Sequence, residues 1–240
     1  MNNRLILIVI ALLLGVSLYT MMDDSNVEET TKTKVTPIVE VTKKVESAPA
    51  LMEIKEGVHY DVLPTHLTLP PHKGTVISEF FWFGCPHCQN FEAHVLRWKE
   101  KLNKEIPTVI NKVAVPGSAR WNSDAKVFYT MKKLGATEEQ VTQMLGFYKN
   151  EVQSNNQYPS EDSIIDLFEE MGLDSEKATA ILTDDSSLKY ELSNANSEFL
   201  KLSVGGVPAF VVNGKYKVRF DNIKSNDEIY EIFRALSHKK

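Results

Sequence analysis

Cysteine is nearly missing from this sequence: its 240 residues include two, Cys85 and Cys88. Two cysteines cannot form a disulfide scaffold, so burial of apolar surface must hold the fold. There is no second cysteine pair, and a closed zinc site needs four ligands. His87 and His94 are too few and too badly placed to complete one, so no metal is expected, and nothing calls for a cofactor. No long lysine and arginine block occurs and the net charge is −5, which argues against a nucleic acid partner. No internal repeat is visible.

Charge is also missing from Leu5 to Met22, an 18-residue run. As a helix the run is about 27 Å long, close to the ~30 Å of a bilayer core. Arg4 precedes it and Asp23, Asp24, Glu28 and Glu29 follow, so the rest of the chain is expected outside the cytoplasm. We read residues 1–22 as a signal anchor with its transmembrane helix at 5–22. The alternative is a signal peptide cut after Ser17, although no Ala-x-Ala site follows the run. Residues 23–55 hold no aromatic residue and are rich in Thr, Lys, Glu and Val, which predicts a flexible linker. The folded domain is expected over 56–240.

Within it, Tyr60 to Leu63 reads as a short strand. Thr75 to Phe83, TVISEFFWF, is aromatic and β-branched with both faces largely apolar, the pattern of a central strand. Pro86 suits a first helical position, and Phe91, Val95, Trp98 and Leu102 continue at helical spacing. Thr108 to Val115 reads as the next strand, completing a β-α-β unit with both cysteines at its strand-to-helix turn. Helical stripes follow at Val127, Met131 and Leu134, after a Thr137–Gln140 capping box, at Ile164 to Met171, and at Leu188 to Leu202. A mostly helical insertion is therefore expected over about 119–203. Ala209 to Val212, Asn213-Gly214 and Lys215 to Phe220 read as a hairpin, and Ser225 caps a last helix. The order predicts an α/β, thioredoxin-like fold split by a helical insertion.

The placement of the cysteines carries the chemistry. With Cys85 at the N-cap and Cys88 one turn on, the sulfurs come within bonding reach. A disulfide closing so short a ring adds little stability, which disfavours an inert staple. Backbone N–H groups and the helix dipole favour negative charge on the first sulfur, and the thiolate is the attacking form. Cys85 is thus expected to be the exposed nucleophile and Cys88 the inward resolving thiol. His87, on the first turn, would donate a ring N–H to the Cys85 thiolate, and a stabilised reduced form makes a stronger oxidant. Glu79 shares a strand face with Ile77, Phe81 and Phe83, where burial should raise its pKa and suit it to exchange a proton with Cys88. Glu92 reads as a solvated charge with a weak influence. Before β-strand Ala209 to Val212 lies Gly205-Gly206-Val207-Pro208; a cis Val207–Pro208 bond would free Val207 backbone groups to pair with a substrate chain.

The Cys85-Pro86-His87-Cys88 motif and the stretch GVPAFVVNGKY, Gly206 to Tyr216, resemble the DsbA family of thiol:disulfide oxidoreductases. Glu79 is similar to the family's buried acid and Phe91-Glu92 to its first-helix pair. The likeness covers about residues 56–240. It implies a periplasmic, DsbA-like fold with a hydrophobic groove beside the active site. It also implies catalytic roles for Cys85, Cys88, His87, Glu79 and Pro208, and substrate binding by Gly206, Val207 and Pro208. The implied partners are unfolded or reduced exported proteins and a DsbB-like membrane quinone reductase for reoxidation. The usual family member is soluble after signal cleavage, whereas this chain reads as anchored to the inner membrane; Trp82 and Gly84 also alter the approach to the motif. Competing readings are a reductase or isomerase of the same compartment, and a tethered binding or chaperone module with a vestigial cysteine pair.

Overall fold

A computed structural model describes residues 50–239; the expected anchor at 5–22 lies outside the described residues. Among the described residues no helix is long and apolar enough to cross a membrane.

The frame is a five-stranded sheet. In chain order its strands are β1 (Tyr60–Val62), β2 (Thr75–Phe81), β3 (Thr108–Ala114), β4 (Ala209–Val212) and β5 (Tyr216–Val218), arranged β1-β5-β4-β2-β3. β2 runs parallel to β3 and antiparallel to β4. All seven β2 residues are buried, as expected of a strand flanked on both sides. β2 stops at Phe81, two residues earlier than the apolar pattern suggests. The Trp82 carbonyl turns back to accept the Cys85 N–H at 3.0 Å, which ends the ladder.

Helices α1 (Pro86–Leu102) and α7 (Asn226–Ser237) cover one sheet face, where Val95, Trp98, Ile229 and Phe233 pack on Ile77, Phe210 and Val212. Pro86 occupies the first turn of α1, and Ser225 caps α7 by accepting the Glu228 N–H. Asn213 and Gly214 both have positive φ, 51° and 66°, the backbone a two-residue hairpin between β4 and β5 requires.

Between β3 and β4 lie helices α2 (Ala119–Lys133), α3 (Glu138–Lys149), α4 (Glu161–Glu170), α5 (Ser175–Thr183) and α6 (Lys189–Leu200). Thr137 and Gln140 form the capping box of α3. A π-helical turn, Asn150–Ser154, continues α3. Neither this turn nor α5 is announced by the sequence: α5 buries one residue, Ala178, so it has no apolar stripe. The subdomain packs Phe128, Met131, Met144 and Phe168 against the end of β2 and the active-site turn, in a cluster containing Phe81, Phe83, Cys85 and Cys88.

The expected linker ends too late. Met52 and Ile54 pack on the α1–α7 core, and Arg234 donates to the Ala50 carbonyl at 3.2 Å, so residues 50–55 rest on the domain. The sequence hides this because two apolar side chains are too few to make a periodic signal.

Candidate active site

Cys85 is the N-cap of α1: its sulfur accepts the Cys88 N–H at 3.4 Å and its thiol faces the Val207 carbonyl at 3.4 Å. The Val207–Pro208 peptide bond is cis. Both cysteines are free thiols. The helix start and the proline loop therefore meet at one sulfur.

The two thiols differ sharply. The Cys88 thiol donates to the Cys85 sulfur, and backbone N–H groups of Cys88 and His87 and the His87 charge add to this; together they overcome burial and bring Cys85 from 9.0 down to about 6. Burial, the hydrogen bond to Cys85 and the nearby Glu79 charge push Cys88 well above the usual thiol range. One sulfur is thus set to be a thiolate near neutral pH and the other to hold its proton.

The expectation of an exposed Cys85 needs correction. Its relative exposure is 7%, because Val207 and the helical subdomain close over it; Cys88 is at 1%. His87 is exposed, and among the described residues its ring makes no hydrogen bond to sulfur. Its influence on Cys85 comes through its backbone N–H and its charge.

Glu79 lies within the sheet, 1% exposed. Its neighbour in the parallel register is Lys112 on β3, whose Nζ donates to Glu79 at 2.5 Å and to Glu92 at 2.6 Å. Glu92 is not a solvated charge. It is buried on α1, held by Lys112 and by the Thr142 hydroxyl at 2.7 Å, because its position turns inward over the β2–β3 pair. Burial raises the Glu79 pKa; Lys112 opposes this and the Glu92 charge adds to it. Burial alone would lower Lys112, but the two carboxylates outweigh it and keep the ammonium charged. One cation between two buried carboxylates leaves an excess negative charge, and a proton on Glu79 removes it.

Gly206 and Pro208 line a cavity of about 240 Å³ together with Asp61, Lys217, Arg219 and Asp221. Val204, Ala209, Val218 and Phe220 also line it, so its wall beside the proline loop is mixed.

Sequence reasoning missed Lys112, although a signal existed: aligning the two parallel strands from Thr75 and Thr108 sets Lys112 beside Glu79. It also missed the polar groups around the turn. Trp82 Nε1 donates to buried Asp124 at 2.6 Å, and Gln89 Nε2 donates to the Phe83 carbonyl at 2.7 Å. No spacing pattern predicts either bond.

Known proteins resemble this arrangement. The family model described as "DSBA-like thioredoxin domain" matches residues 76–229. The thiol:disulfide interchange protein DsbA of Pseudomonas aeruginosa is 29% identical over 166 residues, covering 68% of this chain and 75% of that protein. The Azotobacter vinelandii protein of the same name is 27% identical over 169 residues, 70% of this chain and 75% of its own length. The crystal structure of Pseudomonas aeruginosa DsbA superposes with a TM-score of 0.64 at 23% identity, covering 76% of this chain and 92% of that one. The family match spans more than half of the residues and falls on the fold that brings Cys85, Cys88 and the proline loop together, so the chain belongs to the DSBA-like thioredoxin domain family and is a thiol:disulfide oxidoreductase.

Proposed function

We propose that the enzyme introduces disulfide bonds into exported proteins by dithiol–disulfide exchange through Cys85 and Cys88. The observation that supports this best is the Cys85 sulfur at the mouth of α1, facing the Val207 carbonyl. In the oxidised enzyme a substrate thiolate attacks the Cys85 sulfur, the Cys85–Cys88 bond breaks, and Cys88 leaves with the electron pair. Cys88 binds its proton tightly, so its departure requires one, and Glu79 is the buried acid whose charge it senses. The substrate strand lies along Val207 and Pro208, with Gly206 leaving room for it. A second substrate thiolate then attacks the substrate sulfur of the mixed disulfide. Cys85 leaves as a stabilised thiolate, and two electrons have passed to the enzyme.

An external oxidant must take those electrons, and we assign this to a DsbB-like membrane quinone reductase. The working compartment is the periplasm, with residues 1–22 as anchor, 5–22 spanning the inner membrane, a tether after them, and a catalytic domain carrying the helical insertion at about 119–203. The charge-free run after Arg4 supports this placement.

The test is a Cys88→Ala variant expressed in the exporting cell. Its Cys85 thiolate attacks a disulfide of an exported protein, one protein cysteine leaves as thiolate, and the mixed disulfide should accumulate because Cys88 is not there to displace it. In the reduced wild-type enzyme, Cys85 should titrate near pH 6. Titration like free cysteine, about 8.5, overturns the proposal.

A further inference from the structure

The turn Trp82–Phe83–Gly84 joins β2 to Cys85, and its backbone holds the residue that caps α1. The Trp82 carbonyl accepts the Cys85 N–H at 3.0 Å, and the Phe83 carbonyl accepts from Gln89 on α1. The direction of this turn therefore fixes how the first N–H groups of α1 face the Cys85 sulfur.

Two polar contacts from the helical subdomain hold it. The first runs from α2. Asp124, 1% exposed, accepts the Trp82 indole N–H at 2.6 Å, the Tyr148 hydroxyl at 2.7 Å and the Arg120 guanidinium at 2.9 and 3.0 Å. So fixed, the indole stacks on Trp121 and lies flat over Gly84, where a Cβ would come within 2.5 Å of the ring. Gly84 is the residue this packing permits. The second contact runs from the π-helical turn. Gln153 donates to the buried Gln89 amide oxygen at 2.6 Å, and Gln89 donates in turn to the Phe83 carbonyl at 2.7 Å. A π-turn displaces the side chains that follow it relative to a regular helix, and here it delivers Gln153 to α1.

We propose that Asp124 and Gln153 are positioning residues: acting on Trp82 and, through Gln89, on Phe83, they aim the first N–H groups of α1 at the Cys85 sulfur. The helical insertion is then part of the redox device, tuning the sulfur without touching it. This inference rests on Cys85 being the nucleophile.

The test compares wild type with Trp82→Phe, Gln153→Glu and their double variant. Trp82→Phe keeps an aromatic ring over Gly84 and removes the N–H. Gln153→Glu keeps length and replaces the donor with an acceptor on an exposed side chain. Two quantities are read: the Cys85 titration midpoint by thiolate absorbance, and the redox equilibrium with glutathione. Each single variant should raise the midpoint and shift the equilibrium about threefold or more toward the disulfide form, equivalent to about half a pKa unit. The double variant should shift it further. Ile232→Val, a core change on α7 in the cluster that excludes the turn and both cysteines, should lower the melting temperature and move neither quantity. If Trp82→Phe does not fold, Gln153→Glu alone decides. An equilibrium unchanged in the variants overturns the positioning role, whereas a wild-type midpoint like free cysteine overturns the nucleophile assignment beneath it.

Discussion

Two buried carboxylates flank the redox turn, and they are equally hidden: Glu79 beneath it on β2 and Asp124 beside it on α2, each 1% exposed. Their supply of donors differs. Asp124 accepts from an indole, a phenol and two guanidinium nitrogens. Glu79 receives one ammonium, which it shares with Glu92. Burial alone therefore does not decide what a carboxylate does. A carboxylate surrounded by donors is an anchor, because every lone pair is spoken for and its geometry is fixed. One short of donors is suited to carry a proton, because protonation relieves a charge the surroundings do not balance.

The largest effect should come from removing the anchor. Asp124→Leu strands the buried Tyr148 hydroxyl and the half-buried Trp82 indole N–H, while Arg120, partly exposed, recovers some hydration. We expect a loss of about 3 kcal/mol, measured by denaturant unfolding. A loss below about 1 kcal/mol would show that the donors find other partners and would erase the contrast.

Next comes Lys112→Met, which leaves Glu79 and Glu92 buried together without their cation. A loss of about 2 kcal/mol is expected at pH 8. The sign of its pH dependence follows from linkage. With no cation, the folded-state pKa of Glu79 climbs further above its ordinary 4.5, so the folded chain binds more protons than the unfolded one. The penalty should therefore shrink as pH falls toward 4.5. A penalty constant between pH 8 and 5 would mean that Glu79 takes up no proton.

How much of this was written in the residues themselves depends on distance along the chain. The strand-to-helix turn was legible because everything it needs is local: an apolar strand, Pro86 at the helix start, and two cysteines one turn apart. The hairpin at Asn213–Gly214 and the Thr137–Gln140 box were legible for the same reason. Glu79 stood out as one carboxylate in an apolar strand. Its cation did not, since Lys112 is 33 positions away and becomes a neighbour only through the register of two parallel strands. Glu92 was misread because helical spacing gives a face but not what covers it; β2, β3 and Thr142 cover it. The Asp124 and Gln153 contacts were beyond reach, depending on how α2 and a π-turn dock against a loop 42 and about 70 positions earlier.

The smallest change in stability, and the sharpest test of the comparison, is Glu79→Gln. The amide keeps the shape of the acid and cannot ionise. Burial raises the Glu79 pKa above 4.5, so the wild-type folded state pays for deprotonation as pH rises. That cost is absent below the unfolded value of about 4.5 and complete above the folded value. The variant should thus match wild type at pH 4 and become relatively more stable as pH rises, by no more than about 1 kcal/mol. Function should move the other way. Without an acid beneath Cys88, the step in which Cys88 leaves slows by about tenfold or more, while attack at Cys85 still depends on the helix mouth. Single-turnover exchange with a reduced peptide separates the two. If Glu79→Gln is neither stabilised at high pH nor slowed, then Glu79 is an anchor like Asp124, and the number of donors around a carboxylate does not distinguish the two roles.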